Sequence, residues 1–172
     1  MIHIHSGDIF EIKAQALVVP GNKQADLSWS SHICDRVRKL ANESVFKERN
    51  AIGDIDLGGV CWTGGDGTGF ENLIHAAILD KYDFNPLFLL KLRQRTSDRT
   101  LRSCLAGIKR LVEEKAVKSL AVSAMGAGIG GMNYRKCVKM IFEELNKCKC
   151  DIHYAAYKAR HVRIAEEELK SL

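Results

Sequence analysis

Residues 2–5, Ile-His-Ile-His, alternate apolar and polar positions. That period of two gives a strand one dry and one wet face, so His3 and His5 are expected to point outward from a first strand. A turn at Ser6-Gly7-Asp8-Ile9 follows. Ala16-Leu17-Val18-Val19 is then a continuous apolar run of the kind buried on both faces, closed by Pro20-Gly21-Asn22. From Ile33 the apolar positions fall at 33, 37, 40, 41 and 45, a single helical stripe with Ser30 or Ser31 available as N-cap. Gly58–Thr63 and Leu73–Ile78 read as two more strands, separated by a glycine-rich turn at 64–69 that suits a hairpin connection as well as a site. His75 lies within the second of these and reads as a core histidine. Leu101, Cys104, Leu105, Ile108, Leu111 and Val112 predict an amphipathic helix capped by Asp98 or Thr100, feeding a strand over Ser119–Met125. A helix carrying Cys137, Val138, Ile141, Phe142 and Leu145 comes next, then a strand over Ile152–Tyr157 and a final helix with Val162, Ile164, Ala165 and Leu169. Pro86–Thr100, apolar and then charged, fits a docking loop, a lid or an irregular helix. Strands alternating with helices, with central strands apolar throughout, predict an α/β domain built as a three-layer α/β/α sandwich.

Composition narrows this picture. With 172 residues, two prolines and no Ser/Gly-rich linker or repeat, residues 1–172 are expected to form a single domain. No apolar run approaches the length that spans a bilayer, and Met1–Asp8 lacks a charged-then-apolar signal pattern, so the expectation is a soluble, cytoplasmic protein without membrane partners. The six cysteines fall inside predicted strands and helices, which fits reduced thiols rather than a disulfide framework. Cys148, Cys150 and His153 form a C-x-C-x-x-H cluster, but the second ligand pair of a structural zinc site is missing and no metal is expected. A net charge of +5 favours anionic partners. It is concentrated only at Lys91, Arg93, Arg95, Arg99 and Arg102, which makes a nucleic-acid contact one reading of that face.

The most specific stretch is Leu120–Gly131, LAVSAMGAGIGG, where an apolar run ends in glycines at 126, 128, 130 and 131 before helix-forming sequence. A strand that opens through glycines into a helix presents bare backbone N–H groups and a positive dipole end, a place for phosphate. Glycines also permit a tight turn, yet four in six residues exceed what a turn requires, and Met125, Ala127, Ile129 and Met132 offer no charge of their own. Neither the dinucleotide fingerprint nor the P-loop is satisfied, since no G-x-G-x-x-G follows a first strand and no Lys-Ser/Thr follows the glycines. In such sheets ligands bind beyond the strands' carboxyl ends, where Asn22 and the glycine loop both belong.

These residues resemble the macro domains, which bind ADP-ribose. Gly7-Asp8-Ile9 looks like the family's GDI, and Ala16–Asn22 (ALVVPGN) looks like its A-I-V-N-A-A-N. CWTGG and LIHAA look like two of its strands, and residues 101–131 are similar in order and spacing to its helix, strand and diphosphate loop. The resemblance implies a mixed central sheet. It further implies that Asp8 accepts from the adenine amino group with Ile9 beside it, that Asn22 meets the distal ribose, and that Gly126, Ala127, Gly128, Ile129 and Gly130 wrap the diphosphate through backbone amides. Tyr157 stands where an aromatic often stacks on adenine. Two departures bear on catalysis: the family's first Asn is Val19 here, and residues 23–31 contain no glycine. In hydrolytic members that glycine loop and a following Asp help to place ribose and water, whereas Ser31 falls near the Asp position. The expected function is therefore binding of ADP-ribose or a related adenine diphosphate, with ADP-ribosylated macromolecules as partners and no cofactor. One alternative is an ADP-ribosyl hydrolase acting on protein, nucleic acid or O-acetyl-ADP-ribose, using His32, Asp26 or Asp35 on water; a second is nucleic-acid or poly-ADP-ribose binding through the basic face at Arg93–Arg102. No catalytic residue is assigned.

Overall fold

A computed structural model of the chain describes residues 1–25, 31–80 and 95–172. Six strands, β1 (Ile2–Ser6), β2 (Ala16–Asn22), β3 (Val60–Gly64), β4 (Asn72–Leu79), β5 (Ser119–Ser123) and β6 (Asp151–Ala156), form one sheet in the order β1-β6-β5-β2-β4-β3. All neighbours are parallel except β3, which pairs antiparallel with β4, so the sheet is mixed as expected. Residues 65–71 connect that antiparallel pair, so the glycine-rich stretch forms a hairpin connection.

Alternation along β2 sends its side chains to two separate cores. Ala16 and Val18 join Ile74, Leu101, Leu105, Ile108, Val122 and Ile141 on one face, while Leu17 and Val19 join Leu73, Ile33, Cys34, Val37 and Val45 on the other. The first face is covered by α3 (Asp98–Glu114), α4 (Tyr134–Leu145) and α5 (Ala159–Lys170); the second by α1 (His32–Leu40), α2 (Glu43–Ile52) and a 3-10 turn at Ile9–Glu11. This is the three-layer sandwich. No helix among the described residues is long and apolar enough to cross a membrane.

Three local expectations need correction. The stripe from 33 to 45 is two helices, because Ala41 and Asn42 are extended and the Asn42 N–H donates to the Asp66 carbonyl, 2.8 Å away in the hairpin. Val45 therefore packs from α2. The cap of α3 is Ser97, whose hydroxyl accepts from the Thr100 N–H, rather than Asp98 or Thr100 itself. Met125 lies beyond β5, in the loop that follows it.

His75 is a core residue, 3% exposed, with Nε2 paired to the Thr63 hydroxyl at 2.9 Å and Nδ1 buried without a partner. Burial first, and then the positive field of Arg49, push its pKa down to about 3. The unfolded chain, with an ordinary histidine near 6.5, takes up a proton before the folded one does, so stability is lost as pH falls below about 6.5. Urea unfolding should show ΔG declining between pH 6.5 and 4.5 by up to about 1.4 kcal/mol per pH unit from this one group. His75→Gln should unfold more easily at pH 7 and show a flatter slope in that window; an unchanged slope would mean that His75 titrates normally.

Candidate functional site

Because five strands are parallel, their carboxyl ends gather at one edge of the sheet, and the candidate site lies there. β5 ends at Ser123, and residues 124–133 lead into α4, whose first turn is capped by the Asn133 side chain accepting from Lys136 N–H. Gly126 has φ +86°, a conformation that suits glycine. The Gly126 carbonyl accepts from Met132 N–H, and the Gly130 carbonyl accepts from the N–H groups of Arg95 and Thr96 at 2.9 and 3.1 Å. Thr96 in turn donates its hydroxyl to the Ile78 carbonyl, so the loop is clamped to the end of β4. Ala127 and Gly131 spend their N–H groups on loop carbonyls, whereas those of Gly126, Gly128, Ile129 and Gly130 have no protein acceptor among the described residues. Unspent backbone donors on a fixed loop are what an oxyanion needs.

Facing this loop is a cleft of about 240 Å³, bordered by Pro20 of β2, Ile78 and Leu79 of β4, Ser123, the glycines 126, 128 and 130, and the start of α1. Ser31 builds that start: its hydroxyl accepts from Cys34 N–H at 3.0 Å and donates to the Pro20 carbonyl at 2.6 Å, tying the helix N-terminus to β2. The positive end of the α1 dipole thus borders the cleft. None of the described residues lining it carries a carboxylate. Among the described residues lining it there is no Lys or Arg either, so the arrangement favours an anion through dipoles and amides.

The other predicted residues are distributed around the same edge. Asp8 caps the 3-10 turn, one carboxylate oxygen accepting from Phe10 N–H at 3.0 Å and the other meeting Arg36 of α1. Gly7 donates to the Ala156 carbonyl at 3.2 Å, which sets Asp8 and Ile9 beside the end of β6, where Tyr157 is 79% exposed. Asn22 is buried, and its side-chain oxygen accepts from Gln24 N–H at 2.8 Å, so it helps to shape the turn after β2. That turn is strapped from outside: Arg49, only 1% exposed, donates to the Gln24 and Gly53 carbonyls, and the Asp54 carboxylate accepts from Ala25 N–H. Val19, which the resemblance sets at the first Asn of the macro-domain motif, is 1% exposed within the core.

Of the three residues considered for water activation, His32 is exposed on the rim of the cleft, Asp35 is exposed further along α1 outside the lining, and Asp26 lies outside the described residues, as do Lys91 and Arg93. From the basic cluster, Arg102 reaches Glu144 at 3.8 Å. All six cysteines are buried thiols outside any disulfide; His153 leaves Cys148 and Cys150 to pair with His5 at 2.9 Å and stack with His3. Among the described residues no group of three His, Cys, Asp or Glu side chains could hold a metal ion. Sequence reasoning missed Arg36, Thr96 and the double role of Ser31, since each acts through a partner distant in the chain.

Comparisons place these features among known proteins. A family model described as "Macro domain" matches residues 22–141. A curated protein of Aquifex aeolicus (strain VF5), itself uncharacterized, is 21% identical over 146 residues, 85% of this chain and 81% of that protein. Among solved structures, the Oceanobacillus iheyensis macrodomain with ADP superposes with a TM-score of 0.78 at 16% identity, covering 99% of this chain and 90% of that one. The Trypanosoma brucei macrodomain in complex with ADP-ribose superposes with a TM-score of 0.76 at 13% identity, covering 98% of this chain and 68% of its own.

Proposed function

Because this chain belongs to the macro domain family, we propose that its cleft binds ADP-ribose or a closely related adenine diphosphate, free or carried on a macromolecule. The observation that carries this reading is the loop from Gly126 to Gly130. It offers a row of unspent amides opposite a helix N-terminus, around a lining without carboxylates. Asp8 and Ile9 are assigned to the adenine edge, Tyr157 to its face, the amides of Gly126, Gly128, Ile129 and Gly130 to the diphosphate, and Asn22 to the turn beside the distal ribose; Ala127, expected among the diphosphate amides, instead gives its N–H to the Ala124 carbonyl and only shapes the loop. The macrodomain structures with ADP and with ADP-ribose support the assignment through shared fold. Slow or absent turnover is part of the same reading. Val19 is sealed in the core and can neither orient water nor bond a ribose hydroxyl, which leaves His32 as the described candidate for a base.

Calorimetry with ADP-ribose, ADP and AMP tests it. ADP-ribose should bind at least tenfold more tightly than AMP, since a single phosphate cannot occupy the whole row of amides. Equal affinity for the two would remove the glycine loop from the binding site.

A further inference from the structure

The residue assigned to the base is not a bare carboxylate. Asp8 commits one oxygen to the Phe10 N–H and the other to the guanidinium of Arg36. That guanidinium lies 4.4 Å over the centre of the Phe10 ring, and Phe10 packs edge-on against Phe70 with 6.1 Å between ring centres. Arg36 is therefore fixed from two sides, by charge and by an aromatic face. The side chains of Arg36 and Asp8 are 33% and 31% exposed, so the pair is neither sealed in the core nor loose on the surface, and a ligand can reach it.

A lone carboxylate accepts hydrogen bonds and donates none, which makes it a reader of the 6-amino group of adenine and a poor partner for a 6-oxo group. A guanidinium carries five N–H donors in a planar fork, and one carboxylate oxygen uses only part of them. The edge at Asp8 thus presents an acceptor and a donor side by side. Adenine uses the carboxylate for its amino group and finds a further donor in the N–H of Ile9, which as the first residue of its turn has no intrahelical acceptor. A 6-oxopurine turns its carbonyl to the guanidinium and its ring N1–H to the carboxylate, using the same arginine-to-purine-carbonyl contact that reads guanine in nucleic acids.

We infer that Arg36 is a specificity-determining residue that widens base recognition, so that diphosphate nucleotides of 6-oxopurines bind alongside those of adenine. This rests on the reading of the cleft as a purine diphosphate site, since it needs a base at Asp8.

Titration calorimetry with ADP-ribose, ADP, IDP and GDP on the whole chain, wild type and Arg36→Ala, tests it, with melting curves to confirm that the variant folds. The wild type should bind ADP and the tighter of IDP and GDP within tenfold of each other. Arg36→Ala should lower affinity for that 6-oxopurine nucleotide at least tenfold more than affinity for ADP. A wild type that prefers ADP over both by more than tenfold overturns the inference and leaves the ADP-ribose reading standing. So does a variant that weakens all the nucleotides by the same factor. Failure of ADP and ADP-ribose alike to bind overturns the reading and this inference with it. The wild-type ratio needs no variant, so the test stands even if Arg36→Ala does not fold.

Discussion

Gly128→Glu should abolish ADP-ribose binding while leaving the protein folded. Gly128 is exposed on the rim of the cleft, its φ is not in the left-handed region, and a side chain built there meets none of the described residues within 4 Å. The fold therefore has no steric objection to a larger residue. The ligand does: a carboxylate near the proposed diphosphate places like charges together. At about 4 Å and an effective dielectric constant near 20, two unit charges repel by about 4 kcal/mol, equivalent to roughly three decades of affinity. Calorimetry should show at least a hundredfold loss, and the melting temperature should stay within about 2 °C of wild type. Gly128→Ala separates charge from bulk and should cost only a few-fold. Normal binding by a folded Gly128→Glu protein would move the site away from this loop.

Gly130→Ala, two residues further on, should do the reverse and injure the fold first. A Cβ at Gly130 would collide with the Gly126 carbonyl and the Thr96 hydroxyl, both well inside van der Waals contact. Those atoms are not free to retreat. The Gly126 carbonyl accepts from Met132 N–H, and the Thr96 hydroxyl donates to the Ile78 carbonyl of β4. Relief has to come from displacing the loop, which endangers the bonds from Arg95 and Thr96 to the Gly130 carbonyl. Overpacking of this kind costs about 1–3 kcal/mol, which should lower the melting temperature by several degrees. ADP-ribose affinity should fall as well, because the amides of 126, 128 and 129 move with the loop. A Gly130→Ala protein with wild-type melting and affinity would mean that the clamp to β4 gives way easily.

These two glycines mark the boundary of what local sequence can say. The string of glycines at 126–131 announces a phosphate-type loop, but both residues look alike in the chain. Gly130 is there because a neighbouring carbonyl and hydroxyl occupy the space of its side chain; Gly128 is there with space to spare. The same limit explains the helix break at Ala41–Asn42. The apolar stripe runs on through it with helical spacing, and the break comes from a hydrogen bond to Asp66 in a hairpin formed much later in the chain. The cap of α3 falls at Ser97 for a different reason: Ser97, Asp98 and Thr100 are all competent N-caps, and sequence alone does not rank them.

By itself the sequence determined the layers, the two faces of β2 and the strand-loop-helix unit around the glycines. Each is written in a short-range period, two for strands and 3.6 for helices, or in residues whose backbone preferences act on the spot. Tertiary structure decided the strand order, the antiparallel placement of β3, the tying of α1 to Pro20 through Ser31, and the pairing of Asp8 with Arg36. Asp8 and Arg36 stand 28 positions apart. The turn that presents Asp8 and the helix that presents Arg36 are each legible alone, but which charge meets which depends on how both pack over β2, and no local pattern carries that information.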